Sequence, residues 1–224
     1  MISSPAKLEV EMHPMDMTLQ ASFPTIMVPK FGSLTPLSGS GERLLVGTNG
    51  VFLEVVRPWL RVVRKIASYE VETAVPYGTV NEETELPCGQ LPAELVGQFG
   101  EMARASMPNE TGAWIVWNGV SCEFRLVPVA ILDHGSGHLR YDRPVLQENE
   151  HLVMDCHSHG TFEAFFSGTD NQDDRHDVKF AFVLGNCASI RPSMALRLCV
   201  KGIFERVHDI PAAWRQKFGI REVV

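Results

Sequence analysis

The eleven residues "NEHLVMDCHSH" (149–159) constrain this chain more than any other stretch. Side chains of a β-strand alternate between its two faces. Read that way, Leu152, Met154 and Cys156 are expected on an apolar face, with Asp155, His157 and His159 on the opposite one. The chain has only eight histidines, so two at i and i+2 on one strand face are informative. Both imidazoles can aim at one point beside the strand.

The rest of the pattern builds a mixed fold around that strand. Residues 1–40 are rich in Pro, Ser and Gly and read as an irregular arm with one strand at "TIMVP". "RLLVGTNGVFLEVV" places two β-prone runs around Asn49-Gly50, a strong hairpin signal. "VRPWLRVVRKI" continues the apolar theme, with a break at Pro58. Val75 to Pro92 is loop-like and carries the acidic "NEETE"; a boundary there separates a β-rich module (1–88) from a second domain (89–224). "LPAELVGQFGEMARASM" reads as a helix, with Pro92 in its first turn, Leu95, Val96, Phe99, Met102 and Ala103 on one face, and Pro108 as its stop. "GAWIVWNG" and "EFRLVPVAIL" read as strands and "DHGSGHLRYDRP" as a loop. "SGTDNQDDRHD" reads as a short helix, "VKFAFVLGN" and "ALRLCVKGIFERV" as strands, and "PAAWRQKF" as a closing helix.

Two imidazoles suit a borderline cation such as Zn²⁺. Asp170, eleven residues after His159, is the candidate third ligand. Ser167 is placed to cap the short helix and so to fix where Asp170 points. "SGTD" is equally a capping-box signal that needs no metal, and a His pair on a strand is often polar surface only.

The run "HSHGTFEAFFSGTD" resembles the signature of the JAMM (MPN-plus) metalloproteases: His-x-His, seven residues, Ser, two residues, Asp. That family also has a glutamate upstream, where a helix gives way to a strand. "PNETGAWIVW" is similar there, with Glu110 standing 47 positions before His157. The resemblance implies an α/β domain, a mixed sheet flanked by helices with cytidine-deaminase-like layering, spanning about residues 90–205. It implies that His157, His159 and Asp170 hold one zinc, that Glu110 is general base and acid, and that Ser167 stabilises an oxyanion. The chemistry is coherent, because zinc brings the pKa of a bound water to about 7 and a neighbouring carboxylate can take its proton. Two positions depart from the pattern. Gly160 stands where the family usually has Pro, which implies a looser following loop, and Ala113 replaces a second Gly after Glu110.

The whole chain is similar to the A-protein family of the PRTRC (ParB-related, ThiF-related) cassettes. That implies a bacterial operon with a ThiF-type (E1-like) activating enzyme, an E2-like conjugating partner and a ubiquitin-like protein as substrate. The expected reaction is zinc-dependent hydrolysis of an amide or isopeptide bond at that protein's C-terminus. Two alternatives stay open: a non-catalytic zinc-containing binding module, and a short-peptide hydrolase.

Other residues are weighed against this scheme. Asp155 is either a hydrogen-bond partner for a ligand imidazole or a solvated carboxylate at a strand edge. Glu163 and His176 are near enough in sequence to replace a ligand, although their spacing disfavours it. Cys156 is expected to face away from His157, and the five cysteines, widely spaced and without a Cys-x-x-Cys pair, read as reduced thiols. Trp114 and Trp117 read as core, and Phe165-Phe166 as core or as a cover over the site. The formal net charge of −7 without a Lys/Arg run argues against nucleic acid. No apolar run is long enough for a membrane span, and the expected location is cytoplasmic.

Overall fold

Two hairpins in immediate succession organise the N-terminal part of the chain. β2 (Gly41–Gly47) and β3 (Gly50–Arg57) are joined by a two-residue turn, as are β3 and β4 (Leu60–Ala67). The computed structural model describes residues 12–71 and 74–219 and divides into two units, residues 1–87 and 88–224. In the first unit, β1 (Thr25–Met27) adds in parallel to β2, and β5 (Glu83–Glu85) adds antiparallel to β4, giving the order β1-β2-β3-β4-β5. Val28, Leu45, Phe52, Val63 and Val80 form a buried cluster of this unit.

The first hairpin turns at Thr48-Asn49 rather than at Asn49-Gly50. Asn49 is kept for another purpose: its amide brackets the Val80 backbone, accepting from Val80 N (3.0 Å) and donating to Val80 O (2.8 Å). Gly50 sits at φ +133°, where a Cβ would lie 2.4 Å from the Ala67 carbonyl oxygen, so close strand approach sets its identity. The arm also contains α1 (Pro14–Ser22), which the sequence reading took as irregular. This helix buries no side chain, so it has no apolar stripe to betray it. Residues 1–11 of the arm lie outside the described residues.

Glu54 is fully buried on β3, between Arg43 of β2 and Arg61 of β4. Arg43 also donates to the Thr35 carbonyl (2.8 Å), and Arg61 reaches Glu83 (2.6 Å) and Glu85 (2.9 Å). One carboxylate thus ties three strands and the loop before them.

The second unit is built on a six-stranded mixed sheet with order β13-β12-β11-β10-β6-β7. Its strands are β6 (Gly112–Asn118), β7 (Phe124–Pro128), β10 (Glu150–Ser158), β11 (Val178–Gly185), β12 (Ser193–Val200) and β13 (Ile203–Arg206). Only β10 and β11 run parallel. α2 (Ala93–Ser106) and α4 (Ala212–Lys217) pack on one face. Val96, Phe99 and Ala103 of α2 meet Ile115, Met154, Cys156 and Phe182 of the sheet. Phe182 takes Phe99 and Trp214 edge-on, at 6.2 and 5.9 Å between centroids. The mixed α/β class expected from the sequence is the class observed.

Three local readings change. The segment after β7 is not a loop: β8 (Ala130–Gly135) and β9 (His138–Asp142) form a hairpin, with Val129 breaking what looked like one long strand. "ALRLCVKGIFERV" is likewise a hairpin, β12 to β13, turning at Lys201-Gly202. Within β10 the register against β6 skips from Leu152↔Val116 to Met154↔Ile115. The extra residue, Val153, turns Leu152 to the face opposite Met154 and Cys156. There Leu152 packs against the cluster of Trp114, Val116 and Val129.

Glu54→Ala removes the shared carboxylate and leaves the Arg43 guanidinium buried without its partner. The expected loss is about 3–5 kcal/mol in the N-terminal unit. Hydrogen exchange of β2–β4 amides in the full chain reads it, and wild-type protection in that variant would contradict the tie.

Candidate metal centre

The centre forms where the parallel pair β10–β11 ends. β6 and β10 pair antiparallel down to His157↔Gly112. The ladder then runs one step further: Ser158 N donates to Thr111 O (2.9 Å), and Thr111 N donates to Ser158 Oγ (3.0 Å). Continuing that register sets Glu110 opposite His159. Ser158, the middle residue of the His-x-His run, is fully buried, so its hydroxyl must find a partner. It satisfies Thr111 and thereby locks the segment carrying Glu110.

Further bonds hold Glu110 from the other side. Its amide donates to Gly135 O (2.8 Å), and its carbonyl accepts from His134 Nδ1 (2.7 Å). Both partners lie at the end of β8. The sequence reading missed them because it took this stretch for a loop. Part of the signal was present: polar and apolar residues alternate from His138 to Asp142, after the turn pair Ser136-Gly137.

His157 Nε2 lies 3.2 Å from His159 Nε2 and 3.5 Å from Asp170 Oδ1. The donor atoms of the three residues all fall within 4.8 Å of one another. Four tetrahedral ligands at zinc's bond length of ~2.0–2.1 Å stand about 3.3 Å apart, so His157 already has about that spacing to both His159 and Asp170. His159 Nδ1 is 3.0 Å from the Glu163 carbonyl oxygen. A carbonyl can only accept, so Nδ1 carries the proton and Nε2 offers its lone pair to the centre. Burial pushes the His157 imidazole below its ordinary pKa, partly offset by Asp170, which favours the neutral, ligating form.

Asp170 lies on α3 (Gly168–Asp173), which Ser167 caps. Asp170 N donates to Ser167 Oγ (3.1 Å), and Ser167 N donates to Asp170 Oδ2 (2.6 Å). The capping box is therefore compatible with a ligand role for Asp170: Oδ2 closes the cap while Oδ1 faces His157. Glu110 stands outside the ligand cluster and is 7% exposed. Burial raises its carboxyl pKa; the charge of His159 opposes this and that of Asp170 adds to it.

The other weighed residues find different places. Asp155 neither touches a ligand imidazole nor lies in solvent: it accepts from Lys179 Nζ (2.8 Å) and Tyr141 OH (3.2 Å). Glu163 contributes its carbonyl instead of its carboxylate, and His176 is exposed outside the cluster. Phe165 and Phe166 part company. Phe165 packs edge-on against the His159 ring, 4.6 Å between centroids, and Phe166 lies against Arg197. Trp114 and Trp117 are core. Cys156 is buried on the helix-covered face with its thiol pKa pushed up by burial, which removes it as a nucleophile. All five cysteines are free.

Residues 92–199 match the family of prokaryotic homologs of the JAB domain. Residues 92–199 form a JAB domain. Residues 13–87 match a domain of unknown function, DUF2016, so a DUF2016 domain precedes the JAB domain in this chain. The solution structure of a protein from Desulfitobacterium hafniense is 14% identical and similar over 51% of this chain and 86% of its own, with a TM-score of 0.39; a likeness that low does not bear on the fold. No curated protein matches the chain. Among the described residues, no helix is long and apolar enough to cross a membrane.

Gly160, at the position where Pro is usual, does not loosen the JAB loop. It adopts φ +51°, a value closed to proline. Its carbonyl accepts from Cys187 N (2.8 Å), and a Cβ would lie 2.4 Å from the Pro108 carbonyl oxygen. Gly160→Ala is expected to cost at least about 1–2 kcal/mol from the left-handed backbone alone, with the contact to Pro108 added. Thermal unfolding of the full chain measures it, and an unchanged midpoint would show that the loop is not so constrained.

Proposed function

We propose that the JAB domain is a zinc-dependent peptidase or isopeptidase, cleaving an amide bond at the C-terminal tail of a ubiquitin-like protein. One observation carries the hydrolase half: a buried glutamate lies near enough to His159 and Asp170 to feel their charges without joining the three-residue donor cluster. A structural metal site has no need of such a carboxylate, whereas a hydrolase needs one free to move a proton. The substrate half rests on the resemblance of "NETGA" and His-x-His-x7-Ser-x2-Asp to a family of isopeptidases. A ThiF-type activating enzyme and a conjugating enzyme are the proposed partners on the same ground.

His157, His159 and Asp170 would hold the zinc, which supplies Lewis acidity and brings the pKa of water to about 7. Glu110 takes one proton from the attacking water and delivers it to the leaving amine. The C–O bond forms as the C–N bond breaks, and the carboxylate ends as it began. Ser167 Oγ accepts the Asp170 amide, so its own hydroxyl proton remains to donate to the developing oxyanion. Phe165 shields one side of His159.

Glu110→Gln keeps the shape and removes the base. Full zinc stoichiometry is expected, with cleavage of a ubiquitin-like fusion reduced about 10²–10⁴-fold. A Gln variant that cleaves like wild type defeats the assignment. Titration gives a separate test. Glu110 acts as the ionised form, and a raised pKa means that this form is lost at a higher pH than for an exposed glutamate. In the metal-free chain the Glu110 carboxyl is therefore expected to titrate above the ordinary carboxylate range, read by NMR; bound zinc would oppose that shift, and an ordinary value without metal speaks against the buried base.

A further inference from the structure

The helix that carries Asp170 has no hydrophobic anchor. None of the residues Gly168–Asp173 of α3 is buried, so burial of apolar surface does not set its position on the sheet. Six residues are also far too few for a helix to be stable by itself. Yet Asp170 Oδ1 must be held against His157 Nε2 for the ligand set to exist.

The sheet beneath α3 supplies the fixing. Arg197 of β12 is 4% exposed, and its guanidinium is committed on several sides. Nη1 donates to Asn171 Oδ1, inside α3, and Nη2 donates to Asp174 Oδ2 (2.6 Å), the residue that ends α3. One face of the guanidinium lies 4.0 Å from the ring of Phe166, the residue just before the Ser167 cap, and Phe204 of β13 stands at 4.3 Å. Arg197 therefore touches residues 166, 171 and 174, which bracket Ser167 and Asp170. Ala181 neighbours Arg197 across the ladder and Asp155 lies beyond it; the small alanine leaves the arginine room. Lys179 backs the same end, donating to Asp174 Oδ1 (2.8 Å) as well as to Asp155.

We infer that Arg197 is a positioning residue for the metal centre: its planar fork and stacked faces clamp the Phe166–Asp174 segment, so that Asp170 meets the two imidazoles at ligand distance. Arginine suits this role because two parallel donors and a flat stacking surface come from one rigid group, which lysine lacks. The clamp rests on the three-residue ligand set, and it stands whether or not the centre proves hydrolytic.

The test reads metal binding in the full chain, by zinc affinity against a competing chelator and by the absorption spectrum of the cobalt-substituted protein. Arg197→Met is expected to weaken zinc binding about 10–100-fold, as loss of a group orienting a ligand does, and to alter the cobalt bands that report ligand geometry. Asn171→Ala, which trims one exposed side chain on α3, is expected to shift both in the same direction by less. Arg197→Lys, keeping the charge beside Asp174, should fall between methionine and wild type. Arg125→Met breaks the surface pair with Glu150 on the same sheet; it serves as the control that perturbs stability without changing zinc affinity or spectrum. Wild-type affinity and spectrum in Asn171→Ala and Arg197→Lys would overturn the clamp, even if Arg197→Met failed to fold. A wild-type chain that takes up no zinc or cobalt would overturn the clamp together with the site. Zinc binding without cleavage sinks the hydrolase reading alone, since the clamp is decided by affinity.

Discussion

The pairing of β6 with β10 sets everything at the site. Their antiparallel register continues past the last regular pair through the Ser158–Thr111 bonds, and this step places Glu110 across from His159. A one-residue slip would exchange the faces of the strand. The histidines would then point toward α2, and Met154 and Cys156 would leave the core. Because Met154 and Cys156 are fully buried, the cost of such a slip is the cost of the core itself. Hydrophobic packing on one face thus fixes the register of the two histidines on the other. The neighbouring parallel pair adds the opening. His159 N donates to Leu184 O (2.8 Å) just beyond the carboxyl ends of β10 and β11, where chains leaving parallel strands diverge and open sheets commonly hold ligands.

From that fixed edge the site is completed by a segment with a different kind of support. The chain from Gly160 to Phe166 follows a tight path, tied by Cys187 N to Gly160 O and by Ala164 N to Ser193 Oγ (2.8 Å). It delivers Ser167 into a capping box whose two bonds orient the Asp170 carboxylate. α3 then rests on charged side chains instead of apolar ones. Lys179 is nearly inaccessible, and although burial works against its charge, Asp155 and Asp174 hold its pKa above the ordinary value. Asp174 is pushed up by burial, but Lys179 and Arg197 outweigh that and lower it. Such a network is costly to break at one member, since the partner is left buried and charged. It therefore specifies one placement of the helix.

The clustering of His157, His159 and Asp170 was legible in the sequence for a physical reason. His157, Ser158 and His159 extend a strand with period 2, and Ser167 and Asp170 are joined by a local cap, so both halves depend on short-range geometry alone. Glu110 was legible because a helix stop and a strand start bracket it. What escaped depends on long-range partners or on a single inserted residue. Leu152 changes face because Val153 is a bulge, which no alternation pattern in one strand reveals. Lys179 and Arg197 look like ordinary charged residues in a strand until Asp155, Asp174 and Asn171 come to meet them from other elements. Asn49-Gly50 carried a real signal for a hairpin, but the pair serves Val80 and Ala67, and the turn moved one residue earlier. The β8–β9 hairpin was missed because its glycines and charges resemble a loop, and with it went His134 and Gly135, which hold the Glu110 backbone.

The distribution of charge in the JAB domain argues independently for a cation at the centre. Asp155, Asp174 and Asp177 are met by Lys179, Arg197 and Arg143, three acids against three bases, so this network leaves no excess. Asp170 and Glu110 are outside it. Among the described residues neither forms a salt bridge with lysine or arginine; Asp170 faces His157, and the charges acting on Glu110 are those of His159, Asp170 and His138. With His157 held toward its neutral form by burial, two carboxylates and two imidazoles share one half-buried edge without a fixed positive group. Carboxylates at such a site protonate, spread apart or acquire a counter-ion. Asp170 cannot spread, because the cap and the clamp beneath α3 hold it. A divalent ion held by His157, His159 and Asp170 would satisfy all three donors and balance the excess negative charge. The pinned position of Asp170 and, among the described residues, the lack of a salt bridge from lysine or arginine would both favour such an occupant.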